Sequence, residues 1–270
     1  MTRARGSIFA AVRRVVPGCI TQSQAIAFNM FFAFFPMMLL VLGVVASSSR
    51  LRGGVLDMVR QLGLVFPPGA QAALEQFLTR SGEDAWGWIS LGSLGTLLAG
   101  TQVMRLMIEG FGMVYGDRQR QRFWSRNLRA LVLVSMTIAP WLLAANLFVF
   151  GSQVRDWLSR RSEMPLVVGV LWSAAIIAVE LILAVSVLAV VYRVGRAGTG
   201  SWKAVMPGAT LATLLWWLVS SAFGYYMRRM PYAAAYGGLA AAIGLMLWMQ
   251  LTAVVVLLGA AYNAQRAGSG

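Results

Sequence analysis

Glu180 is the residue of this sequence best placed to do chemistry, because it is an acid within a long apolar segment, residues 165–191. It lies sixteenth in that segment, close to the middle of a bilayer, where an uncompensated charge costs at least about 2.5–3.5 kcal/mol. We therefore consider Glu180 a candidate substrate or proton site. The alternative is a neutral carboxyl that is hydrogen-bonded to a polar residue of a neighbouring segment: Asn29, Gln102, Asn146 or Gln250.

Arginines form the second group of candidates, because the planar guanidinium matches the geometry of a phosphate. They cluster between residues 118 and 129, beside Phe123 and Trp124, and again at a pair that is flanked by tyrosines. The alternative interpretations are a topology determinant for the first cluster and an ordinary aromatic belt for the second. The candidate headgroup contacts are Arg118, Arg120, Arg122, Arg126, Arg228 and Arg229.

A substrate path through the membrane would need further polar groups, and the apolar segments and their borders contain few. Asn29 and Asn146 lie inside such segments, whereas Arg105 and Glu109 lie at a border. Arg105 and Glu109 are four residues apart, so they are expected to neutralise each other on one helix face. Together with Glu180, these four residues are the candidate substrate path.

The inventory of side chains disfavours an enzyme. The chain has no histidine, one cysteine (Cys19) and nine acids, of which only Glu109 and Asp117 fall on the predicted cytosolic face. Metal-dependent hydrolysis of a phosphodiester needs several convergent carboxylate or histidine ligands. Phosphate-binding glycine loops, nucleophilic serine turns and known nucleic-acid-binding motifs are missing as well. We expect no catalytic residues, no cofactor, no metal and no nucleic-acid partner.

Composition indicates a membrane protein. Hydrophobic residues make up 59% of the chain, charged residues 12%, and the net charge is +14. The mean hydropathy is +0.69. A soluble domain has roughly 45–50% apolar and about 25% charged residues. In a membrane protein such a positive excess reflects topology and contact with anionic headgroups.

The first apolar segment, residues 25–47, is uncharged and long enough, at about 35 Å, to cross a bilayer as a helix. Pro36 near its middle is expected to kink the helix rather than end it, since the main chain must stay hydrogen-bonded in lipid. Pro140 is expected to kink the third span. The six predicted spans are residues 25–47, 86–107, 128–151, 165–191, 207–227 and 237–262.

The remaining segments are short. Residues 1–24 are basic, and residues 7–16 can form an amphipathic helix in the headgroup plane. Residues 54–66 and 69–79 predict an amphipathic helical hairpin that is either solvated or in contact with the membrane, with its apolar faces favouring contact. Residues 25–264 form a single membrane domain in this interpretation, and residues 265–270 a short tail.

Six spans place both termini on the same side of the membrane. Lys and Arg are more numerous on the side of the N-terminus, which favours cytoplasmic termini. Most acids lie on the other side: Asp57, Glu75, Glu83, Asp84, Asp156 and Glu163. In the second span Gly92, Thr96 and Gly100 lie on one stripe, which permits a close approach of another helix.

Four landmarks in chain order resemble the YihY/BrkB family of bacterial inner-membrane proteins, over roughly residues 20–265. They are FNMFFAFFPMMLL (28–40), MPGATLATLLWWLVSSAF (206–223), PYAAAYGGLAAAIGLMLWM (231–249) and LLGAAYNA (257–264). One departure is that family members commonly have an acid after the Gly-Ala of the last motif. Here Ala261 and Tyr262 follow Gly259-Ala260, so no role of that acid can be transferred.

The resemblance implies a six-helix envelope-integrity protein that was once mislabelled a ribonuclease and has been linked to serum resistance and lipid export. Our leading hypothesis is a membrane protein that moves, or helps to export, an anionic lipid such as a phospholipid or lipopolysaccharide. Membrane lipids and a periplasmic lipid-transfer protein are the candidate partners. The alternatives are a small-solute or ion transporter that uses Glu180, and a scaffold for envelope assembly.

Overall fold

The structure is a computed structural model, and it describes residues 6–61, 76, 84–116, 126–137, 140, 154, 165–195, 201–229 and 238–268. Every regular element within these ranges is an α-helix, which confirms the predicted all-α class. The helices are α1 (Gly6–Ser47), α2 (Ser49–Gln61), α3 (Ala85–Tyr115), α4 (residues 126–137), α5 (Pro165–Gly195), α6 (Trp202–Arg229) and α7 (Gly238–Gly268).

Five of these helices contain segments long and apolar enough to cross a membrane, and they match the first, second, fourth, fifth and sixth predicted spans. The segments are Ile20–Ser47, Ala85–Tyr115, Val167–Gly195, Trp202–Met227 and Leu239–Ala267. The third predicted span, 128–151, is helical over 128–137 and at Pro140, and the rest of it lies outside the described residues. The count of six spans and the side of the termini therefore stay predictions.

Helix α1 is longer than its apolar segment, and this corrects the expected separate helix at residues 7–16. The helix runs without a break from Gly6 to Ser47. The polar residues before Ala25 suggested a boundary, but two of them, Gln22 and Ser23, are buried, and Gln22 Nε2 donates a hydrogen bond to the Leu106 carbonyl at 2.7 Å. The Ser23 hydroxyl donates to the Ile20 carbonyl at 2.8 Å within the helix. The helix also continues through Pro36, as expected in a membrane, and kinks at Pro36 and Pro140 stay predictions.

Helix α6 begins five residues before the proline that was expected to start the fifth span. It starts at Trp202 and carries Pro207 inside it. The first four N–H groups of any helix lack intrahelical partners, so a proline at the sixth position removes only a single main-chain hydrogen bond. The second, fourth and sixth spans likewise extend past their predicted ends, to Tyr115, Gly195 and Gly268.

The predicted hairpin is described only in its first arm. Helix α2 starts at Ser49, five residues before the predicted residue 54. Val55 and Leu56 pack against the buried pair Ala46 and Ala85, so at least this part of the apolar face contacts protein. The second arm, 69–79, lies outside the described residues except for Gln76, which is exposed.

The chain divides into two compact units, residues 29–100 and residues 1–28 with 101–270. Within the unit 29–100, α1 and α3 approach each other through glycines. A Cβ placed on Gly92 would lie 2.5 Å from the Leu40 main-chain nitrogen, and one on Gly95 would lie 2.7 Å from Pro36 Cβ. The predicted close approach at Gly92 is therefore confirmed, and glycine is what permits it.

The other unit contains the most deeply buried residues of the described chain. In this unit α6 packs against α7 and also against α5. The large side chains buried at the centre are Ile26, Phe111, Leu133, Tyr192, Val205, Leu257 and Asn263. The rings of Phe111 and Tyr192 meet edge to face, with centroids 5.4 Å apart. This core joins the start of α1, the end of α3, α4 and the three C-terminal helices.

Candidate functional site

The C-terminal helices are packed in one half and open in the other. In α5 the buried residues begin at Ala189, and no residue from 167 to 188 is buried. In α6 the buried residues end at Thr213, and in α7 most follow Met249. We call residues 189–195, 202–213 and 249–268 the packed half, and residues 167–188, 214–229 and 239–248 the open half.

Glu180 lies in the open half, on the face of α5 that leads into the packed half. Ala184, Val187 and Val191 continue the same stripe at helical spacing, and burial increases along it. Ile177 and Ile182, on other faces, are 53% and 65% exposed, whereas Glu180 is half-buried. Glu180 therefore lies on the side of α5 that faces protein nearer the C-terminus of the helix. The first buried residue, Ala189, is nine residues away, which is about 14 Å along the helix.

Glu180 has no hydrogen bond or ion pair with any residue that the structure describes. Gln102 and Gln250, two of the residues considered as its partners, are half-buried on α3 and α7 and are not bonded to it. Asn146 lies outside the described residues. Asn29 belongs to the other unit, where it is half-buried and has a contact of its own.

Glu109 forms an ion pair with Arg126 of α4, and the expected pair of Glu109 with Arg105 stays a prediction. The Arg126 guanidinium lies 2.8 Å from the Glu109 carboxylate, and the two side chains are 25% and 33% exposed. Because α3 continues to Tyr115, Glu109 lies inside the helix rather than at its end, and the start of α4 comes within its reach. Arg105 is half-buried and has a contact of its own. A partly exposed pair of this kind contributes about 0.2–1 kcal/mol.

The predicted headgroup arginines fall into three groups. Arg118, Arg120 and Arg122 lie outside the described residues, and Arg126 is held by Glu109. Arg228 and Arg229 end α6, and Arg229 is exposed, with its guanidinium 4.9 Å from the ring centre of Tyr225. An exposed arginine stacked on an aromatic ring can still bind a phosphate through its outward N–H groups.

Two further arginine–aromatic contacts were not predicted, and both lie in the packed half. Arg193 lies over the ring of Trp202 at 4.2 Å, and Arg266 lies over Tyr262 at 5.9 Å. Arg193 lies in the last turn of α5 and Trp202 starts α6, so the first contact joins these two helices at their ends. The aromatic and basic residue types were visible in the sequence, but their proximity depends on how α5 and α6 pack against each other.

Sequence reasoning missed the buried polar contacts of the packed half. Asn263 is 2% exposed; it accepts a hydrogen bond from the Gly208 N–H at 2.7 Å and donates one to the Val205 carbonyl at 2.9 Å. The Tyr192 hydroxyl donates to the Val256 carbonyl at 2.7 Å. The motif residues 206–210 and 257–264 thus form one contact region, a juxtaposition that their order in the chain does not reveal.

Among the residues that the structure describes, no group of three or more His, Cys, Asp or Glu side chains is arranged to hold a metal ion. In the packed half, the side chains of Tyr192, Thr213 and Asn263 instead bind main-chain groups. The arrangement as a whole combines a packed half with an open apolar half, and the open half contains the half-buried carboxylate of Glu180.

The family model described as virulence factor BrkB matches residues 18–269, nearly the whole chain. The chain is 25% identical over 250 residues to the putative ribonuclease-like protein YfkH of Bacillus subtilis, covering 90% of this chain and 88% of the relative. No solved structure is significantly similar to this chain.

Similar proteins from Xanthomonas are longer. A UPF0761 membrane protein of Xanthomonas campestris is 28% identical over 263 residues, which cover 96% of this chain and 60% of the relative. One from Xanthomonas axonopodis is 28% identical over 251 residues, which cover 92% and 58%. The chain therefore spans about three fifths of the length of these membrane-protein relatives.

Proposed function

The chain belongs to the BrkB family of membrane proteins, and on that basis we propose that it moves an anionic lipid across the bacterial inner membrane or helps to export it. The observation that carries the proposal is the position of Glu180, half-buried on the inward face of α5 in the open half. A polar group in this setting is expensive to keep in lipid, which argues for a functional use.

The open half suits a lipid because its exposed side chains are large and apolar. They include Val170, Leu171, Ile177, Trp217, Leu218, Ile243 and Leu247. Acyl chains can lie against such side chains while a headgroup passes Glu180 on the inward face of α5. In this proposal Arg229 and Arg228 receive the phosphate at one membrane surface, and the arginines between residues 118 and 129 receive it at the other.

The proposed orientation places both termini in the cytoplasm, because the basic residues favour that side. The packed half then lies toward the cytoplasm and the open half toward the periplasmic surface. A lipid would leave through the open half, either into the outer leaflet or to a periplasmic lipid-transfer partner.

The proposal includes no catalytic step. The Bacillus relative is named ribonuclease-like, but this chain has no histidine and only nine acids spread along it. Phosphodiester hydrolysis by the usual general bases or metal ligands would need residue types that are missing or scarce here. We propose that the protein acts on lipid without breaking bonds.

A second candidate is a small-solute or ion transporter in which Glu180 takes up and releases a proton. The same half-buried carboxylate favours it, since intramembrane acids serve as proton relays in transporters. Transport of a solute that depends on a proton gradient, without any effect on lipid movement, would favour this candidate over the first.

The direct test uses purified protein in liposomes that contain a fluorescent acidic phospholipid. We expect the label to equilibrate between leaflets faster than in protein-free vesicles, as measured by quenching of the outer leaflet. A matched neutral phospholipid serves as the control for headgroup selectivity. Equal rates in protein-containing and empty vesicles would contradict translocation by this chain.

A further inference from the structure

Helix α6 has a weak point at Pro207. Proline has no N–H, and its ring displaces the carbonyl of the residue four positions earlier, which here is Lys203. Both effects disturb the main-chain ladder around residues 203–208. In a membrane such main-chain groups have to find partners inside the protein.

Asn263 of α7 supplies partners on both sides of this weak point. Its Oδ1 accepts from the N–H of Gly208, the residue after the proline, at 2.7 Å. Its Nδ2 donates to the carbonyl of Val205, two residues before the proline, at 2.9 Å. The side-chain orientation follows from chemistry, since only Oδ1 can accept and only Nδ2 can donate.

The two helices are in main-chain contact at this point. A Cβ on Gly208 would collide with the Gly259 carbonyl and the Asn263 amide, and a Cβ on Gly259 would collide with the Tyr192 hydroxyl. Helices α5, α6 and α7 therefore meet where Asn263 binds. On the C-terminal side of Pro207, two contacts hold α6 against α7. The rings of Trp216 and Trp248 pack together, and Trp248 Nε1 donates a hydrogen bond to the Ser220 hydroxyl.

The N-terminal turn of α6 has few such attachments. Trp202 and Lys203 are exposed, and the described contact of Trp202 is the one with Arg193 at the end of α5. Residues 202–206 are thus a short helical segment that is joined to the rest of α6 through the proline, and to the core through Val205, whose side chain is buried and whose carbonyl binds Asn263 of α7.

We propose that Asn263 is the latch of a hinge at Pro207. While both hydrogen bonds are made, residues 202–206 and 208–229 behave as one helix on α7. When they are broken, the segment 202–206 rotates about Pro207 and moves the end of α5 through the contact of Trp202 with Arg193. This inference rests on the contacts of the packed half and does not depend on what the protein transports.

The test is a double-mutant cycle between N263A and P207A, with thermal unfolding of the purified protein in detergent as the readout. N263A alone is expected to lower the unfolding midpoint by several degrees. Alanine at position 207 restores the regular main-chain ladder, so N263A should cost much less in the P207A background. The matched control is Q22A, which also removes a hydrogen bond from a side chain to another helix, and whose cost P207A should not change.

An equal cost of N263A in both backgrounds, or no cost in either, would overturn the latch. If N263A alone yields no folded protein, recovery of folded protein in P207A/N263A supports the proposal and failure of the double variant contradicts it.

A distance measurement tests the motion itself. In a Cys19→Ser background, spin labels at Lys203→Cys and Ala267→Cys, both exposed positions, report the position of the α6 start relative to the end of α7. We expect a narrow distance distribution with Asn263, a broad one in N263A, and a narrow one again in P207A/N263A. The same distribution with and without Asn263 would show that it is no latch.

Discussion

Polar side chains inside the apolar helices of this protein have two kinds of surroundings. The side chains of Asn263, Gln22 and Tyr192 each form a hydrogen bond with a main-chain group of another helix. Glu180 has no such partner among the described residues, although it lies on the inward face of α5. The first kind of residue is explained by packing, because a buried polar group needs a partner. For Glu180 we propose a ligand or a proton as the missing partner.

Replacing Glu180 by glutamine tests this distinction at a single residue. We expect Glu180→Gln to fold normally, because the side chain keeps its size and has no described partner to lose. Lipid movement in liposomes should fall about tenfold or more, equivalent to roughly 1.4 kcal/mol in the barrier.

The control for this prediction is Ser186→Ala in the same helix. Ser186 is exposed, and its hydroxyl donates to the Ile182 carbonyl of α5 itself. Lipid movement should be unchanged in this variant. Full activity of Glu180→Gln, or complementation of a deletion phenotype at the wild-type level, would reject a role for the carboxylate.

The candidate residues were predictable from the sequence, but their partners were not. Glu180 stands out in any hydropathy profile. By contrast, the expected pairing of Arg105 with Glu109 relied on spacing within one helix and stays a prediction, whereas the ion pair of Glu109 with Arg126 of α4 was not predicted. The spacing of residues predicts which side chains are neighbours on one helix. Contacts with another helix depend on the packing of the chain, which a single sequence does not reveal.

At the scale of helices, glycine determines where α1 and α3 touch. The sequence predicted a stripe of Gly92, Thr96 and Gly100, and in the structure Gly92 meets the Leu40 main chain while Gly95 meets Pro36. Small residues predict that a close approach occurs. The particular glycines that take part depend on the crossing angle, which the partner helix determines.

Gly92→Ala is expected to destabilise the unit 29–100. The new Cβ would lie 2.5 Å from a main-chain atom, which cannot rotate away as a side chain would, so the helices must separate. Overpacking of this kind typically costs about 1–3 kcal/mol. The measurement is the unfolding midpoint of the purified protein in detergent.

Gly87→Ala in the same helix is the matched control, because nothing lies within 4 Å of its added Cβ. It should be neutral or slightly stabilising, since alanine favours a helix over glycine by roughly 1 kcal/mol. Equal midpoints for the two variants would contradict the close approach of α1 and α3.

The ends of the helices show a second limit of sequence reasoning. Hydropathy located five of the long apolar helices but placed the start of the first too late and the ends of several others too early. The polar residues 21–24 were interpreted as a border, although Gln22 and Ser23 are buried in protein. Polarity marks a membrane border only when the residue faces water, and a polar residue with a protein partner looks the same in the sequence.

For the molecule as a whole, the main property is the contrast between the packed and open halves of the C-terminal helices. The sequence could not reveal it, because residues that face lipid and residues that face protein are both apolar in a membrane. Ala184, on the inward stripe, and Ile182, which is exposed, differ little in type. The proposed path for a lipid headgroup along α5 depends on this contrast between the packed and open halves.

Accessibility of engineered cysteines along α5 is the measurement that tests this path most directly. In a Cys19→Ser background the chain has no other thiol, so single cysteines at Ala184, Ile182 and Ala189 can be compared. A small, membrane-impermeant thiol reagent is added to the periplasmic side of intact vesicles. If the inward stripe near Glu180 lines a polar path, Ala184→Cys reacts, while Ile182→Cys in lipid and Ala189→Cys in the packed half do not. An Ala184→Cys variant as unreactive as Ile182→Cys would contradict the path and, with it, the proposed role of Glu180.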